Sequence, residues 1–552
     1  MHIKKIFQTM FLYSLAFSII IFLPFPIRAA TYYVDATIGY DSNNGLSPES
    51  AWKTVAKVNA STFRQGDQIL FKRGEIWREQ LNVPSSGSPG SPITFGSYGI
   101  GDRPIISGAN ILSNFRALGA AYQLPSIKTE PKQVFYNGTL LIHNNGATAS
   151  VGINEWDWHS DTLYINIGRD PVGAIIEAST RPYGIYIVNK SHIIIDTISV
   201  INTNDTGVSA PSSHNLTISN SRVSFNAEKG ITFAAVSGNN FIQDCIINFN
   251  GLGASDAYGS GIFAWKDSGS PGNENYIRRN FINNNKNYGI YINSNFYIIE
   301  KNEVYNNGNT SEMCAGIELF NGGNDGYARN NIVRYNLVHA QLSGYNDGPG
   351  INADDYSSHN DIYYNVTHAN DGPGIGVWRS NNINIYNNTT YGNNRNSSGT
   401  RNTFAEIAVG ASNPGEVSNI QIKNNIAVAT APNTYAIYLD PNTLNMTGLD
   451  ITNNDWYAAA SNWYYSHSSP GNNLSLWNAL NGIGTDLNAD PLIIAPSIGN
   501  FSISEKSPCR DAGIPIGLLM DFDGISINGP PDIGAFEYRT LAKPSNLRIM
   551  NR

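Results

Sequence analysis

Cysteine is nearly missing from this chain, and the little there is cannot build a scaffold. The three cysteines among 552 residues, Cys245, Cys314 and Cys509, are odd in number and far apart, so they offer neither a disulfide framework nor the spacing of a metal site. Charge is scarce too: Asp, Glu, Lys and Arg make up only 14% of the chain and sum to a net charge of -8. That modest acidic balance excludes the basic surface that nucleic acid or an anionic membrane would need. Beyond the first 30 residues no run is long and apolar enough to cross a bilayer, which takes about 20 residues. What is plentiful instead is Asn, Gly, Ser and Tyr, a mix that suits a β-rich, turn-rich protein.

The start of the chain has the order of an export signal. Lys4 and Lys5 precede an apolar stretch from Phe11 to Ile27, and Ala29-Ala30 offers a small-residue cleavage point. Pro24 and Pro26 break the apolar run near its end, against an uncleaved anchor. Residues 1–30 are therefore expected to be a signal peptide, and the mature protein to be secreted, extracellular or periplasmic, with no membrane association after cleavage.

The rest is organised by repetition. A small residue followed by Ile or Val recurs at Gly207, Gly230, Gly261, Gly289, Gly316, Gly350 and Gly374, then at Glu406 and Ala436, in steps of 23 to 34 residues. A second apolar run places Asn three residues after Ile or Val: Asn280, Asn302, Asn336, Asn365, Asn388, Asn425 and Asn454. Self-similarity at this period signals a repeat architecture. Two strands of three to five residues per repeat, with turns of varying length, predict a parallel β-helix with coils about 4.8 Å apart. The asparagines then form a ladder at one bend, as stacked amides do in cross-β structure. Cys245 falls on the same ladder position and is expected to be a buried structural thiol.

These repeats, with Thr31-Tyr-Tyr-Val-Asp-Ala-Thr, Asn43-Asn-Gly-Leu-Ser-Pro and Gly66-Asp-Gln-Ile-Leu-Phe-Lys-Arg-Gly near the start, resemble the right-handed parallel β-helix proteins of the pectin-lyase-like superfamily. Asp490-Pro-Leu, Ser507-Pro-Cys-Arg-Asp-Ala-Gly and Pro531-Asp-Ile-Gly-Ala-Phe-Glu are similar to their usual ending. The resemblance implies an all-β, right-handed parallel β-helix solenoid. It also implies an activity among the lyases, hydrolases, epimerases and adhesins that this fold hosts, so function must be argued from the site. The chain lacks the Asp-Pro-His motif of the mannuronan epimerases and the Gly-His-Gly of the polygalacturonases, of whose set Asn352-Ala-Asp-Asp is a loose echo.

Around the repeats, residues 31–109 are expected to hold an N-terminal cap and the first coils, with an amphipathic helix over 50–60. Residues 110–180 break the period and read as an inserted antiparallel β unit, whose Trp156 and Trp158 suit its own small core. The repeats occupy 181–460, a loop-rich C-terminal cap 461–538, and a tail 539–552.

Strand alternation assigns the outward columns. One runs Phe263, Tyr291, Glu318, Asn352, Gly376, Ala408, Tyr438; the next runs Trp265, Asn293, Phe320, Asp354, Trp378, Gly410, Asp440. Lys266, Asp355 and Arg379 lie just beyond, and Glu406 stands where its neighbours have glycine. Gly374 and Gly376 are expected to open a gap beside Asp354. Acids beside aromatic rings suit a sugar chain, whose faces are apolar and edges polar. Trp265, Phe320, Trp378, Asn352 and His368 are the candidate substrate-binding residues. For glycoside hydrolysis two of Glu318, Asp354, Asp355, Asp371 and Glu406 would serve as acid and base or nucleophile. A lyase would use Lys266 or Arg379 as base, with acids holding Ca²⁺; Asp347 and Asp371, in the duplicated turn Asn-Asp-Gly-Pro-Gly, suit that ion. The surplus of carboxylates tilts toward hydrolysis. The competing possibility is a carbohydrate-binding or adhesive surface protein without catalysis. Either way the expected partner is a polysaccharide, not nucleic acid, and the protein is expected to be a monomer.

Overall fold

The computed structural model describes residues 29–539 except 145, 147–150, 236–237, 254–258, 309–312, 344–346, 397–404, 444–445, 460–461, 467 and 482–484. The expected signal, apart from its last two residues, and the tail from residue 540 lie outside the described residues, as does Asn346 of the duplicated turn. The chain winds through three long sheets of 13, 13 and 12 strands, each coil giving one strand to each sheet. One coil, for example, runs through Tyr288–Asn295, Tyr297–Glu300 and Glu303–Tyr305. Three strands per coil, not two, is a correction. The third is only three residues long and starts directly after a ladder asparagine, so in sequence it passes for part of a turn.

Inside, equivalent residues stack. Ile262, Ile290, Ile317, Ile351, Ile375, Ile407 and Ile437 pair in register along the first sheet, and all are fully buried. Ile277, Ile299, Val333, Ile362, Ile385, Ile422 and Ile451 do the same along the second. Each such side chain contributes about 1.5–3 kcal/mol by leaving water.

The corners are held by amides. The residue before each ladder position, among them Arg279, Lys301, Tyr335 and Tyr364, has a left-handed backbone with φ of 48–57°. Such residues cost about 1–3 kcal/mol each and persist only where the surroundings hold them. Here the surroundings are the ladder: the Oδ1 of Asn336 accepts from the backbone N–H of Asn302 at 3.1 Å and from its Nδ2 at 3.0 Å, and the pattern runs from Asn280 to Asn454. Cys245 heads it, its N–H bonded to Asn280 at 3.0 Å, and burial pushes its thiol up to about 12, as suits a structural residue. A second ladder, not anticipated, occupies the next corner: Asn226, Asn250, Asn285, Asn307, Gln341, Asn370 and Asn393.

The N-terminal helix is shorter than expected, Val55–Asn59. Trp52 is held extended by bonds with Tyr33 (2.9 Å) and Asp35 (2.8 Å), so helix begins only after the Thr54 cap. Val55 and Val58 still plug the open end. The strands between Ala109–Leu112 and Ile176–Ser179 form two small, mostly antiparallel sheets with a core of their own that includes Trp156. Only the first part of the C-terminal segment caps the stack, through Trp463 and Trp477. The rest turns back along the third sheet, where Gly534 N–H bonds Asn424 O at 2.7 Å and Phe501 packs on His368.

Replacing Asn336 by Ala strands two buried donors of Asn302. We expect a loss of about 2–5 kcal/mol, measured as the shift in urea unfolding midpoint. A change within about 0.5 kcal/mol, the range of an ordinary surface substitution, would show that the ladder is not a main support.

Candidate active site

The first sheet presents a groove of about 690 Å³ along its outer face. The strands that build its centre are Ala315–Phe320, Ile351–Asp354, Ile375–Trp378 and Ala405–Gly410. Their register reproduces the outward columns: Tyr291 pairs Glu318, Glu318 pairs Asn352, Asn352 pairs Gly376, Gly376 pairs Ala408, and Phe320 pairs Asp354. The lining holds Phe320, Asp347, Asn352, Asp354, Asp355, Trp378 and Arg379, with Tyr291, Tyr438 and Asp440 toward its ends.

Glu318 and Asp354 are joined through one amide. Asn352 Nδ2 donates to both oxygens of Glu318, at 3.2 and 3.3 Å, and to Asp354 Oδ2 at 3.4 Å. The two carboxylates are therefore no further apart than two such contacts laid end to end. Asp354 Oδ1 also accepts the N–H of Asp355 at 2.7 Å, which fixes its orientation. Glu318 lies against the lining residue Asn352 and is 3% exposed. Burial, then the negative charges of Asp354 and Asp347, hold its carboxyl well above the usual range, against the opposing bond from Asn352. Glu318 thus holds a proton more tightly than a free carboxyl does, while Asp354 faces the groove as its partner.

The glycines do not open the gap expected of them. A Cβ on Gly376 would meet Asn352 Oδ1 at 2.5 Å, so the Asn352 side chain already leans into that space. A Cβ on Gly410 would meet the Trp378 ring at 2.3 Å, so the indole lies across the bare backbone of the next coil. Gly374 faces inward, toward Thr367 and Asn393. The missing side chains serve to seat Asn352 and Trp378.

Several expected site residues stand elsewhere. Glu406 is fully buried and ends the second ladder: its carboxylate accepts the Asn393 N–H at 2.9 Å and Nδ2 at 2.6 Å. Asp486 ends the first ladder the same way, accepting from Asn454 N–H at 2.8 Å. Asp371 accepts from Arg395 (3.0 Å) and the Ser343 N–H (3.0 Å) and is not part of the lining. His368 lies on the third sheet, stacked on His339 at 4.8 Å, and burial lowers its pKa to about 3. It supports the C-terminal segment, not the groove. Trp265 and Lys266 lie beyond the lining, where Lys266 pairs with Asp325 at 2.7 Å. Arg379 reaches the groove but is bound to Asp355 (3.0 Å), Glu416 (3.5 Å) and the Tyr356 hydroxyl. Burial alone would lower its pKa; those partners raise it, so it stays a cation. Among the described residues no three His, Cys, Asp or Glu side chains are grouped to hold a metal. With Asp371 engaged by Arg395, the Asp347 and Asp371 pair does not fit Ca²⁺. Tyr356 and Glu416 were missed in sequence: Tyr356 directly follows Asp355, but Glu416 sits in a turn with no periodic cue.

Residues 134–275 and 179–336 match a family described as right handed beta helix region. Over the whole fold the chain is similar to XylC, solved with xylose, with a TM-score of 0.53 and 14% identity across 92% of this chain and 98% of that one. It is a right-handed parallel β-helix. A stretch of 144 residues is 32% identical to the lacto-N-biosidase of Bifidobacterium longum, covering 23% of this chain and only 9% of that protein. The solved lacto-N-biosidase of Eubacterium ramulus is similar at a TM-score of 0.41 and 13% identity, over 76% of this chain and 68% of that one.

Burial pushes the Glu406 carboxyl from 4.5 up to about 8, against the opposing bonds from Asn393. A folded value above the unfolded one means that its contribution to stability is complete below 4.5 and is lost as pH rises through about 8. Thermal unfolding midpoints should therefore fall from pH 5 to pH 9, and Glu406→Gln should flatten part of that slope. Identical slopes in the two proteins would refute the ladder-end role.

Proposed function

We propose that the chain is an exported enzyme that hydrolyses glycosidic bonds of a polysaccharide in this groove. The observation that carries it is the pair Glu318 and Asp354, one buried and the other facing the groove, bridged by Asn352. Glu318 donates its proton to the glycosidic oxygen as the bond to the sugar carbon breaks. Asp354 stabilises the positive charge on that carbon and attacks it, and water then releases the sugar with Glu318 acting as base. A carboxylate separation of about 5–5.5 Å belongs to retaining enzymes and about 6.5–9.5 Å to inverting ones. Two acids held by one amide through contacts of 3.2 and 3.4 Å fall at or below the short end of the inverting range and so favour retention. Trp378, spread over Gly410, offers a flat face for a sugar ring.

The stretch 32% identical to a protein named as a lacto-N-biosidase supports glycan cleavage. Elimination by Lys266 or Arg379 is disfavoured because both cations are held in ion pairs. The basic start and the apolar stretch after it support export, which recovery of the chain from culture medium or periplasm would test.

Against a broad polysaccharide panel the wild-type protein should release reducing ends without unsaturated products. Glu318→Gln and Asp354→Asn should each lower kcat by about 10²–10⁴-fold with the unfolding midpoint retained. The alkaline limb of the pH profile should vanish in Glu318→Gln. Unsaturated products would replace hydrolysis by elimination. Binding without any turnover would make the protein a carbohydrate-binding one.

A further inference from the structure

The charge of the groove separates the glycans it can hold. Among the described residues its lining carries four carboxylates, Asp347, Asp354, Asp355 and Asp440, against one cation, Arg379. That cation is occupied: Asp355 and Glu416 take its guanidinium at 3.0 and 3.5 Å. Lys266 lies outside the lining and is paired with Asp325. A uronate polymer brings a carboxylate on every sugar into a partly enclosed space of the same sign, where charges are poorly screened. Ionised carboxylates only accept hydrogen bonds, so this lining asks for a ligand rich in donors. The hydroxyls of an uncharged sugar donate, and its C–H face packs on Trp378 and Phe320. From Tyr291 to Tyr438 the groove spans five coil steps, about 24 Å at about 4.8 Å each, room for several sugar units.

We infer that the groove selects an uncharged glycan and rejects uronate polymers. The inference rests on the groove being the substrate site proposed above, and goes beyond it by naming the class of chain bound.

The test uses Glu318→Gln, which stops turnover and leaves the four lining carboxylates in place. Its affinity is measured by calorimetry at low salt for hexasaccharides of xylan, β-glucan and galactan, and for hexasaccharides of galacturonate and mannuronate. We expect the best neutral chain to bind at least about tenfold more tightly than either uronate, with the ratio shrinking as salt is added. Adding Asp347→Asn and Asp440→Asn should cut that ratio several-fold. Equal or tighter uronate binding, a ratio unmoved by those two changes, or binding of neither class overturns the inference. Preferential neutral binding in a protein whose wild type cuts nothing leaves the inference standing and removes the hydrolytic proposal.

Discussion

Everything in this molecule depends on how its corners satisfy the backbone. A coil of only 23 to 34 residues must turn sharply, and it does so through residues in the left-handed region, Tyr335 and Tyr364 among them. The amide that follows points into a fully buried edge, where an unpaired N–H costs about 1–3 kcal/mol. Asparagine answers this because one side chain carries both an acceptor and donors at a fixed short reach. Stacked, each amide serves the coil before it. The last amide of a stack has donors left over, and the oxygens of an acidic side chain accept them and close the row. Asp486 and Glu406 have that position in the two ladders.

The same stacking makes the outer face a ruler. Once corners are locked at one coil spacing, outward side chains fall into columns whose separation does not depend on turn length. Loops of different size can then leave the stack without disturbing Glu318, Asn352 and Asp354, which sit on two neighbouring rigid strands. Rigid placement matters for acid and base groups, whose geometry must hold within fractions of an ångström. The surrounding loops supply what the strands cannot: Asp347 from one turn, Glu416 from another, and the Tyr356 contact that keeps Arg379 in place.

Much of this was legible in the sequence because the signals are local and repeated. Asparagine three residues after Ile or Val marked the first ladder, and the Gly-Ile phrase marked the register of the first sheet. The second ladder was equally present in the sequence, at Asn250, Asn285 and Asn307, but it borders a strand of three residues that passes for a turn. Glu406 was misplaced because the phrase aligned it with glycines, and alignment says nothing about which way a corner residue points. His368 was misplaced because what covers it, Phe501, lies far along the chain.

By itself, then, the sequence determined the coil, the column order and the residues that share the outward face, since a strand period of two and a repeated corner leave little choice. Only the tertiary structure decided which of those residues meet. The lean of Asn352 over Gly376, the spread of Trp378 over Gly410 and the burial of Glu318 are contacts between coils. They depend on the space a neighbouring coil leaves empty, and no single repeat contains that information.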